Sequence, residues 1–455
     1  MEITKRREIF FLSELRAIAC IAIVILHTFY AASVYAPDHT ARIAALTTRN
    51  LMMWAVPCFV MVSGALLLDP AREVTYRKIF RKYIPRVLAA LVLFSVVFQI
   101  FDDATGESGI QFKTILYGLQ NAVTGSGWKH MWYLYLITAL YLLLPFYRKI
   151  VASLNSKDMY YLLSVYLVFL SLLPMLQTLT EKSTAFYICV YSVYPLYLFL
   201  GDAFMQKRIC KKPWLMILLA SVGTIAVACL TILSEKKSIA ALSELLTSYA
   251  FPLIVLQSAG IFGLMSYREK KAPKVLYWIL HQVDQCSFGV YLIHMLFLKL
   301  VLVVWKWNPY MYGGFFMILA LSVGTFLCSF LCIRLLKYVP ILKKFFEFEK
   351  RFDYQKRVSQ MRYSFCLSLS ILAILLLQKH ITALHESAGT PALLYQSDFA
   401  LQFLCTERSP TWLFLAVSGK RHRFREHCKS SLHVLCSRKM PALVSDIAWQ
   451  EQQPR

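Results

Sequence analysis

The first long apolar segment of the chain carries two ionisable residues, Arg16 and His27. Eleven helical residues bring a side chain back to within about 20° of its starting direction, so the two share one face, roughly 16 Å apart along the axis. Ionisable residues inside hydrocarbon are costly and mark a functional site by default. An imidazole is a suitable general base near neutral pH, and a guanidinium binds anions. The pair predicts acid–base chemistry at His27 and an anionic ligand at Arg16.

Both residues also have purely structural explanations. The Arg16 side chain could extend to the lipid headgroups, and His27 could be a histidine that only packs in the membrane. Two further histidines raise the same question. His130 lies at the predicted outer mouth of a later span, where aromatic residues form interfacial belts. His294 lies well inside another apolar segment, so each of the two is either a packing residue or part of a site.

Two short motifs accompany the second and third apolar segments. Lys78 and Arg81 come just before the third segment, where they could hold an anionic cofactor or simply follow the excess of positive charge in cytoplasmic loops. Ser63 and Gly64 lie within the second segment, where small residues usually serve helix packing. The chain contains neither a phosphate-binding loop nor a dinucleotide-binding fingerprint.

The composition indicates what kind of elements must position these residues. Of the 455 residues, 58% are hydrophobic and 16% are charged, and the mean hydropathy is +0.54. Soluble domains have roughly 45 to 50% apolar and 25% charged residues, so this chain has too little polar surface to fold in water. We predict an all-α, polytopic integral membrane protein with about ten transmembrane helices. The predicted spans cover residues 17–36, 51–69, 83–101, 131–147, 159–178, 186–205, 213–233, 244–265, 285–305 and 313–336.

The distribution of charge predicts the topology of these spans. The formal net charge is +24. Apart from Arg16, 23 lysines and arginines lie in the N-terminus and in residues 70–82, 148–158, 206–212, 266–284 and 334–344. Only eight lie in the predicted connections on the other side, residues 37–50, 102–130, 179–185, 234–243 and 306–312. Because basic residues concentrate in cytoplasmic loops, we predict that the N-terminus and the end of the tenth helix are both cytoplasmic. The positive charge therefore reflects topology, and we expect no nucleic acid as a partner.

The C-terminal part of the chain has a different character. We divide the chain into a membrane domain at 1–344 and a basic tail of uncertain fold at 345–455. The tail includes an apolar run at 364–377, whose 14 residues fit an interfacial helix or a short span about equally badly. Its histidines and cysteines match no familiar zinc-binding spacing, so we expect no metal.

Four segments of the membrane domain occur in the order found in the acyltransferase 3 family of integral membrane O-acyltransferases, and roughly residues 8–340 resemble that family. The segments are Leu15-Arg16 leading to His27-Thr28, Val56-Pro57 leading to Ser63-Gly64, His130-Met131-Trp132 followed by Tyr141 to Pro145, and Phe288-Gly289 leading to Tyr291 and His294. The spacing from Arg16 to His27 is the most specific of these signals. Within the family, the chain is most similar to the enterobacterial common antigen O-acetyltransferase type.

The resemblance implies an activity and a set of site residues. The reaction is transfer of an acetyl or other short acyl group from cytoplasmic acetyl-CoA to a hydroxyl of an envelope polysaccharide or lipid-linked glycan. It takes place among the lipids of a bacterial cell membrane, which the protein crosses several times. The matching positions imply catalysis by His27, Arg16 and His130, acyl-CoA binding by Arg16, Lys78 and Arg81, and substrate binding by His130, Trp132, Ser63 and His294. Two positions depart from the family pattern, since Ala65 replaces an aromatic residue and Lys78 replaces an arginine.

The sequence is also compatible with other mechanisms and functions. His27 could act as a general base or form an acyl-histidine intermediate. A transporter or flippase of an envelope precursor would also use intramembrane Arg16 and His27. Many transporters are built from two similar halves, and the absence of a convincing internal repeat favours the enzyme. A structural scaffold would leave both residues without a task.

Overall fold

The computed structural model describes residues 10–106, 109–182, 192–209, 212–268 and 271–338. The predicted tail at 345–455 and its short apolar helix lie outside these ranges, as does part of the predicted span at 186–205. Every regular element in the described ranges is helical, which confirms the all-α class.

Fifteen α-helices, several of them extended by short 3-10 or π-helical turns, make up the described chain. They are α1 (Phe10–Ala32), α2 (His39–Leu51), α3 (Ala55–Leu67), α4 (Tyr76–Lys78), α5 (Ile84–Thr105), α6 (Phe112–Thr124), α7 (Trp132–Ser153), α8 (Ser156–Leu167), α9 (Leu173–Thr180), α10 (Tyr194–Met205), α11 (Pro213–Lys237), α12 (Ala240–Leu246), α13 (Pro252–Ser266), α14 (Lys274–Lys299) and α15 (Phe315–Leu336).

Eight helical segments in the described residues are long and apolar enough to cross a membrane, which confirms a polytopic membrane protein. They are Phe10–Tyr35, His39–Leu67, Tyr76–Thr105, Lys129–Ser153, Ser156–Thr180, Pro213–Lys237, Lys274–Val304 and Phe315–Leu336. The other two predicted spans correspond to α10 and α13, which have only 12 and 15 residues. Because most residues of these two helices are buried inside the protein, neighbouring helices can cover irregular backbone at their ends.

Two segments that were predicted as polar connections, 37–50 and 102–130, contain helices, so those predictions were wrong. Asp38 caps the first turn of α2 by accepting a hydrogen bond from the Ala41 N–H at 2.8 Å. Gln111 begins α6 and forms a capping box with Thr114. Both helices have 13 residues and mix polar with apolar positions, and a search for continuous apolar runs does not detect such helices.

Helices α3 and α10 pack with their backbones almost in contact, because each presents a glycine to the other. A Cβ atom placed on Gly64 would lie 1.9 Å from the Leu198 carbonyl oxygen, and one placed on Gly201 would lie 1.9 Å from the Met61 carbonyl oxygen. Small residues permit this close approach between membrane helices. Of the small residues Ser63 and Gly64 in the second predicted span, Gly64 therefore serves helix packing.

Helix α1 lies inside the bundle and packs against α2, α3, α13, α14 and α15. Fifteen of its 23 residues are buried. One of them is Glu14, which is fully buried. Its carboxylate accepts a hydrogen bond from Arg268 at 2.6 Å and another from the Ala272 N–H at 2.9 Å. These two bonds hold the segment between α13 and α14 against the beginning of α1.

Glu14→Gln is expected to lower the Tm of the protein in detergent solution. Arg268 and the Ala272 N–H donate to different oxygens of Glu14, and the amide has only one, so one of the two donors loses its acceptor and faces an NH2 group. A hydrogen bond to a charged group contributes about 1.5–3 kcal/mol. The matched control is Glu73→Gln, because the Glu73–Lys78 pair is 77% and 44% exposed and an exposed pair contributes only about 0–1 kcal/mol. Equal Tm values for the two variants would show that the Glu14 contacts do not stabilise the fold.

Candidate functional site

Helices α1 and α14 run parallel and contact each other at successive levels along their length. Arg16 meets Asp284 at the first level, and the Cys20 thiol donates to the Ser287 carbonyl oxygen at 3.6 Å at the second. At the third level the rings of His27 and His294 lie 5.1 Å apart between centroids. The helix pair therefore carries a charged level and a histidine level, which the eleven-residue spacing on α1 separates.

The charged level is a two-pronged ion pair. Arg16 donates from Nε to Asp284 Oδ1 at 2.6 Å and from Nη2 to Asp284 Oδ2 at 2.8 Å. Ser13 donates to the same Oδ2 at 2.7 Å and also lies 3.4 Å from the His281 Nδ1 atom. The Asp284 side chain is 7% exposed and that of Arg16 is 22% exposed. Asp284 thus fixes one edge of the guanidinium, while the accessible part of Arg16 retains N–H donors for a ligand.

Three histidines from three different parts of the chain meet at the histidine level. The His294 ring lies 5.1 Å from that of His27 and 5.6 Å from that of His130. His294 is completely buried and His130 is 4% exposed, whereas His27 is only partly buried. We call His27, His130 and His294 the histidine cluster. Of its three members, His27 offers the most accessible ring.

Hydrogen bonds to backbone carbonyls fix the tautomers of the two buried histidines. A carbonyl oxygen can only accept, so a neutral ring nitrogen facing one carries the proton. His294 donates from Nδ1 to the Tyr291 carbonyl oxygen at 2.7 Å, and His130 donates from Nε2 to that of Leu292 at 3.1 Å. Their other nitrogens, His294 Nε2 and His130 Nδ1, are buried without a hydrogen-bond partner among the described residues. These two atoms therefore present lone pairs inside the protein.

His130 is held in an aromatic surrounding rather than at an open mouth. The Phe98 and Trp128 rings stack at 4.2 Å, with His130 5.4 Å from Phe98 and 6.0 Å from Trp128. Asp102 accepts a hydrogen bond from the Trp128 indole N–H at 2.8 Å and pairs with Lys299 of α14. This network joins the end of α5 to α14 and fixes the Trp128 ring that His130 contacts.

Trp132 lies in a group of aromatic residues from separate parts of the chain. Its ring stacks on Tyr249 at 5.7 Å and lies 5.6 Å from Tyr194. Tyr291 links this group to the histidine cluster, because its ring lies 5.5 Å from Tyr133 and 6.0 Å from both His130 and His294. The aromatic group therefore adjoins the histidines.

The other predicted site residues, Ser63, Lys78 and Arg81, make no hydrogen bond or ion pair with the charged level or the histidine cluster among the residues that the structure describes. Ser63 donates to the Phe59 carbonyl oxygen of its own helix at 3.0 Å. Lys78 pairs with Glu73 at 3.2 Å, and Arg81 is exposed. Arg86 is the basic residue of this region that reaches α14, with its Cζ atom 5.9 Å from the centre of the Phe288 ring.

Sequence reasoning missed two charged residues of the site. Asp284 directly precedes the predicted span at 285–305, where a charged residue is expected and does not indicate a site. It lies ten residues before His294, which is close to the eleven-residue spacing of Arg16 and His27 on α1. Arg49 falls in the segment wrongly predicted as a connection, but it is buried on α2, and its Cζ atom lies 5.1 Å from the centre of the Tyr30 ring, one helical turn beyond His27 on α1. The described residues include no group of His, Cys, Asp and Glu side chains placed to hold a metal ion.

Comparison with known proteins identifies the family of the chain. A family model described as an acyltransferase domain matches residues 10–334 and so includes every candidate residue named above. No significant match was found among curated proteins or among solved structures. The matched region is most of the chain and contains both the charged level and the histidine cluster. The chain therefore belongs to the acyltransferase 3 family and is a membrane acyltransferase.

Proposed function

We propose that this acyltransferase moves an acetyl or other short acyl group from acyl-CoA to a hydroxyl of an envelope polysaccharide or a lipid-linked glycan in the cell membrane. The observation that carries the proposal is the histidine cluster, in which His27 is accessible and its two buried neighbours present lone pairs. Transfer of an acyl group to an alcohol requires that a base remove the hydroxyl proton. The imidazole of His27 can supply such a base.

The charged level suits the acyl donor. CoA is anionic, and Arg16 is an accessible guanidinium whose orientation Asp284 fixes. With the predicted topology, this end of α1 faces the cytoplasm, where acetyl-CoA is found. The roughly 16 Å between Arg16 and His27 matches a donor whose charged part stays at the membrane surface while its thioester reaches the interior.

In the proposed reaction, His27 removes the proton of the acceptor hydroxyl as its oxygen attacks the thioester carbonyl carbon. The carbonyl oxygen takes up the electron pair and becomes an oxyanion. When the C–S bond breaks, the pair returns to restore the carbonyl, and the departing CoA thiolate takes the proton from His27. The His294 ring lies 5.1 Å from that of His27, and its open Nε2 atom is the acceptor that we assign to the second N–H of His27 once His27 has taken up the proton.

The aromatic group suits the acceptor. Trp132, Tyr133, Tyr194 and Tyr249 lie near the histidine cluster, and all four side chains are only partly buried. Aromatic rings with polar tips bind amphipathic ligands through both their faces and their hydroxyls. Tyr291 connects this group to the histidines, because its ring lies 6.0 Å from both His130 and His294. A sugar hydroxyl that enters from the aromatic group would therefore meet the histidines. The enterobacterial common antigen type remains a prediction, as does the choice of acetyl.

The experiment that tests this function supplies labelled acetyl-CoA to membrane vesicles of defined orientation. We expect label to enter the glycan or lipid-linked fraction when the donor contacts the face that carries the N-terminus, and not when it contacts the other face. Vesicles without the protein give the background, and labelled longer acyl-CoA species test the chain length. Absence of transfer with every donor, in membranes from several acceptor-competent hosts, would contradict the proposal and favour the transporter.

A further inference from the structure

Acyl transfer creates a negative charge that the histidine cluster is not built to stabilise. The thioester carbonyl oxygen becomes an oxyanion, and enzymes place hydrogen-bond donors or positive charge where that oxygen develops. The available nitrogens of His130 and His294 carry lone pairs, since their N–H groups already donate to backbone carbonyls. These two atoms cannot donate to an oxyanion next to His27. The donor must come from another residue.

Arg16 does not meet this need. It lies roughly 16 Å from His27 along α1, and its Nε and Nη2 atoms are bonded to Asp284. A guanidinium at that level can hold the charged part of CoA, but it cannot also contact the thioester beside His27. The two functions therefore require two different cationic groups.

Arg49 is a second guanidinium, and it lies at the histidine level. Its side chain extends from α2 and is 7% exposed. The Cζ atom lies 5.1 Å from the centre of the Tyr30 ring, and Tyr30 is one helical turn beyond His27 on α1. A positive charge is thus kept inside the protein, close to the predicted base.

Neighbouring polar groups hold the Arg49 side chain in place. Its Nη1 atom donates to Asn50 Oδ1 at 2.7 Å. The Asn50 amide donates in turn to the Thr231 hydroxyl on α11 at 3.0 Å, and that hydroxyl donates to the Val227 carbonyl oxygen at 2.7 Å. The chain of bonds connects α2 to α11. A donor that is fixed before the reaction needs no reorganisation when charge develops.

We propose that Arg49 is a catalytic residue that stabilises the oxyanion formed when the acceptor attacks the thioester, an inference that rests on the acyl transfer proposed above. As the carbonyl carbon bonds to the acceptor oxygen, the C=O electron pair moves onto the carbonyl oxygen, and a guanidinium N–H of Arg49 donates to it. The interaction weakens again when the carbonyl re-forms and the thiolate departs. Arg49 neither gains nor loses a proton in this sequence.

The test compares Arg49→Lys, Arg49→Gln and Arg49→Met with the wild-type enzyme in steady-state transfer from labelled acetyl-CoA. Loss of an oxyanion donor lowers kcat by about 10²–10³-fold, so we expect this loss in Arg49→Gln and Arg49→Met, with KM for both substrates little changed. Arg49→Lys keeps the charge and should retain more activity than the other two. The matched control is Arg42→Met, because Arg42 is on the same helix but is 50% exposed and pairs with Glu235 at 3.3 Å.

The outcomes separate this role from its alternatives. Wild-type kcat in folded Arg49→Gln would overturn the proposal. A raised KM for the acceptor at unchanged kcat would also overturn it, because Arg49 would then bind the acceptor. Should Arg49→Met fail to fold, as a lower Tm would reveal, the kcat values of Arg49→Lys and Arg49→Gln decide the matter. If the wild-type enzyme transfers no acyl group, both this inference and the proposed function fail, whereas an active wild type with unaffected Arg49 variants refutes the inference alone.

Discussion

Replacing His27 by alanine is expected to lower kcat for acyl transfer by about 10²–10⁴-fold, the range that a general base contributes. His27 is the accessible ring of the histidine cluster, and the nearest ring, that of His294, is completely buried. The buried neighbour cannot take the place of His27 without a movement of α14. The measurement is transfer from labelled acetyl-CoA at matched amounts of folded protein in the membrane.

A matched variant makes this experiment specific. His39 is exposed at the beginning of α2, so His39→Ala removes a histidine without changing the cluster and should leave kcat unchanged. Unchanged transfer by His27→Ala would remove His27 from the mechanism and direct attention to His130 and His294. Equal losses in both variants would indicate a general effect on the protein rather than loss of a base.

The same protein distinguishes a general base from a covalent nucleophile. With a general base, rapid quenching during turnover leaves label only on donor and product. An acyl-histidine intermediate would instead place labelled acetyl on the protein, and that label would be absent from His27→Ala. We expect no labelled protein, because the acceptor hydroxyl is itself the nucleophile when His27 acts as its general base.

Replacing Asp284 by alanine is expected to have the second large effect. It leaves the Arg16 charge without its partner, and breaking a largely buried ion pair in this way costs about 3–5 kcal/mol. We therefore expect a lower Tm and, in the protein that remains folded, a KM for acyl-CoA raised by about 10–100-fold, which corresponds to about 1.4–2.8 kcal/mol of lost binding. The kcat at saturating donor should change much less, since Asp284 lies a full level away from the histidines.

The reversed pair separates stability from ligand binding. In Arg16→Asp combined with Asp284→Arg, the two charges can meet again between α1 and α14, so we expect the Tm to recover in part. KM for acyl-CoA should remain high, because the guanidinium is then attached to α14 and the more accessible position on α1 carries a carboxylate, which repels the anionic CoA. Recovery of both quantities would mean that the pair only stabilises the bundle and that CoA is bound elsewhere.

The pairing of α1 with α14 explains why these two predictions concern different steps. One level of the helix pair carries the Arg16–Asp284 ion pair with further guanidinium N–H donors, and the other carries histidine rings with open lone pairs. A donor with a charged end and a reactive thioester end matches both levels at once. Substitutions at the first level should therefore change KM, and substitutions at the second should change kcat.

Much of the fold followed from local properties of the sequence. Apolar runs of about 20 residues indicate membrane helices regardless of what surrounds them, and the eight long segments agree with that prediction. Helices α2 and α6 could not be found in this way, because their burial depends on neighbours that a hydropathy window does not include. Likewise α10 and α13 are apolar because they are enclosed by protein, so their lengths do not follow the thickness of the bilayer.

For the candidate site, the sequence by itself determined that Arg16 and His27 share a face, since that relation depends only on the period of one helix. Tertiary structure alone decided that Asp284, 268 residues away, neutralises Arg16, and that His130 and His294 join His27 instead of serving as separate anchors. It also decided that Arg49 is buried beside them. The physical reason is that helical periodicity acts over a few turns, whereas contacts between α1, α2, α7 and α14 arise only when distant apolar faces pack together.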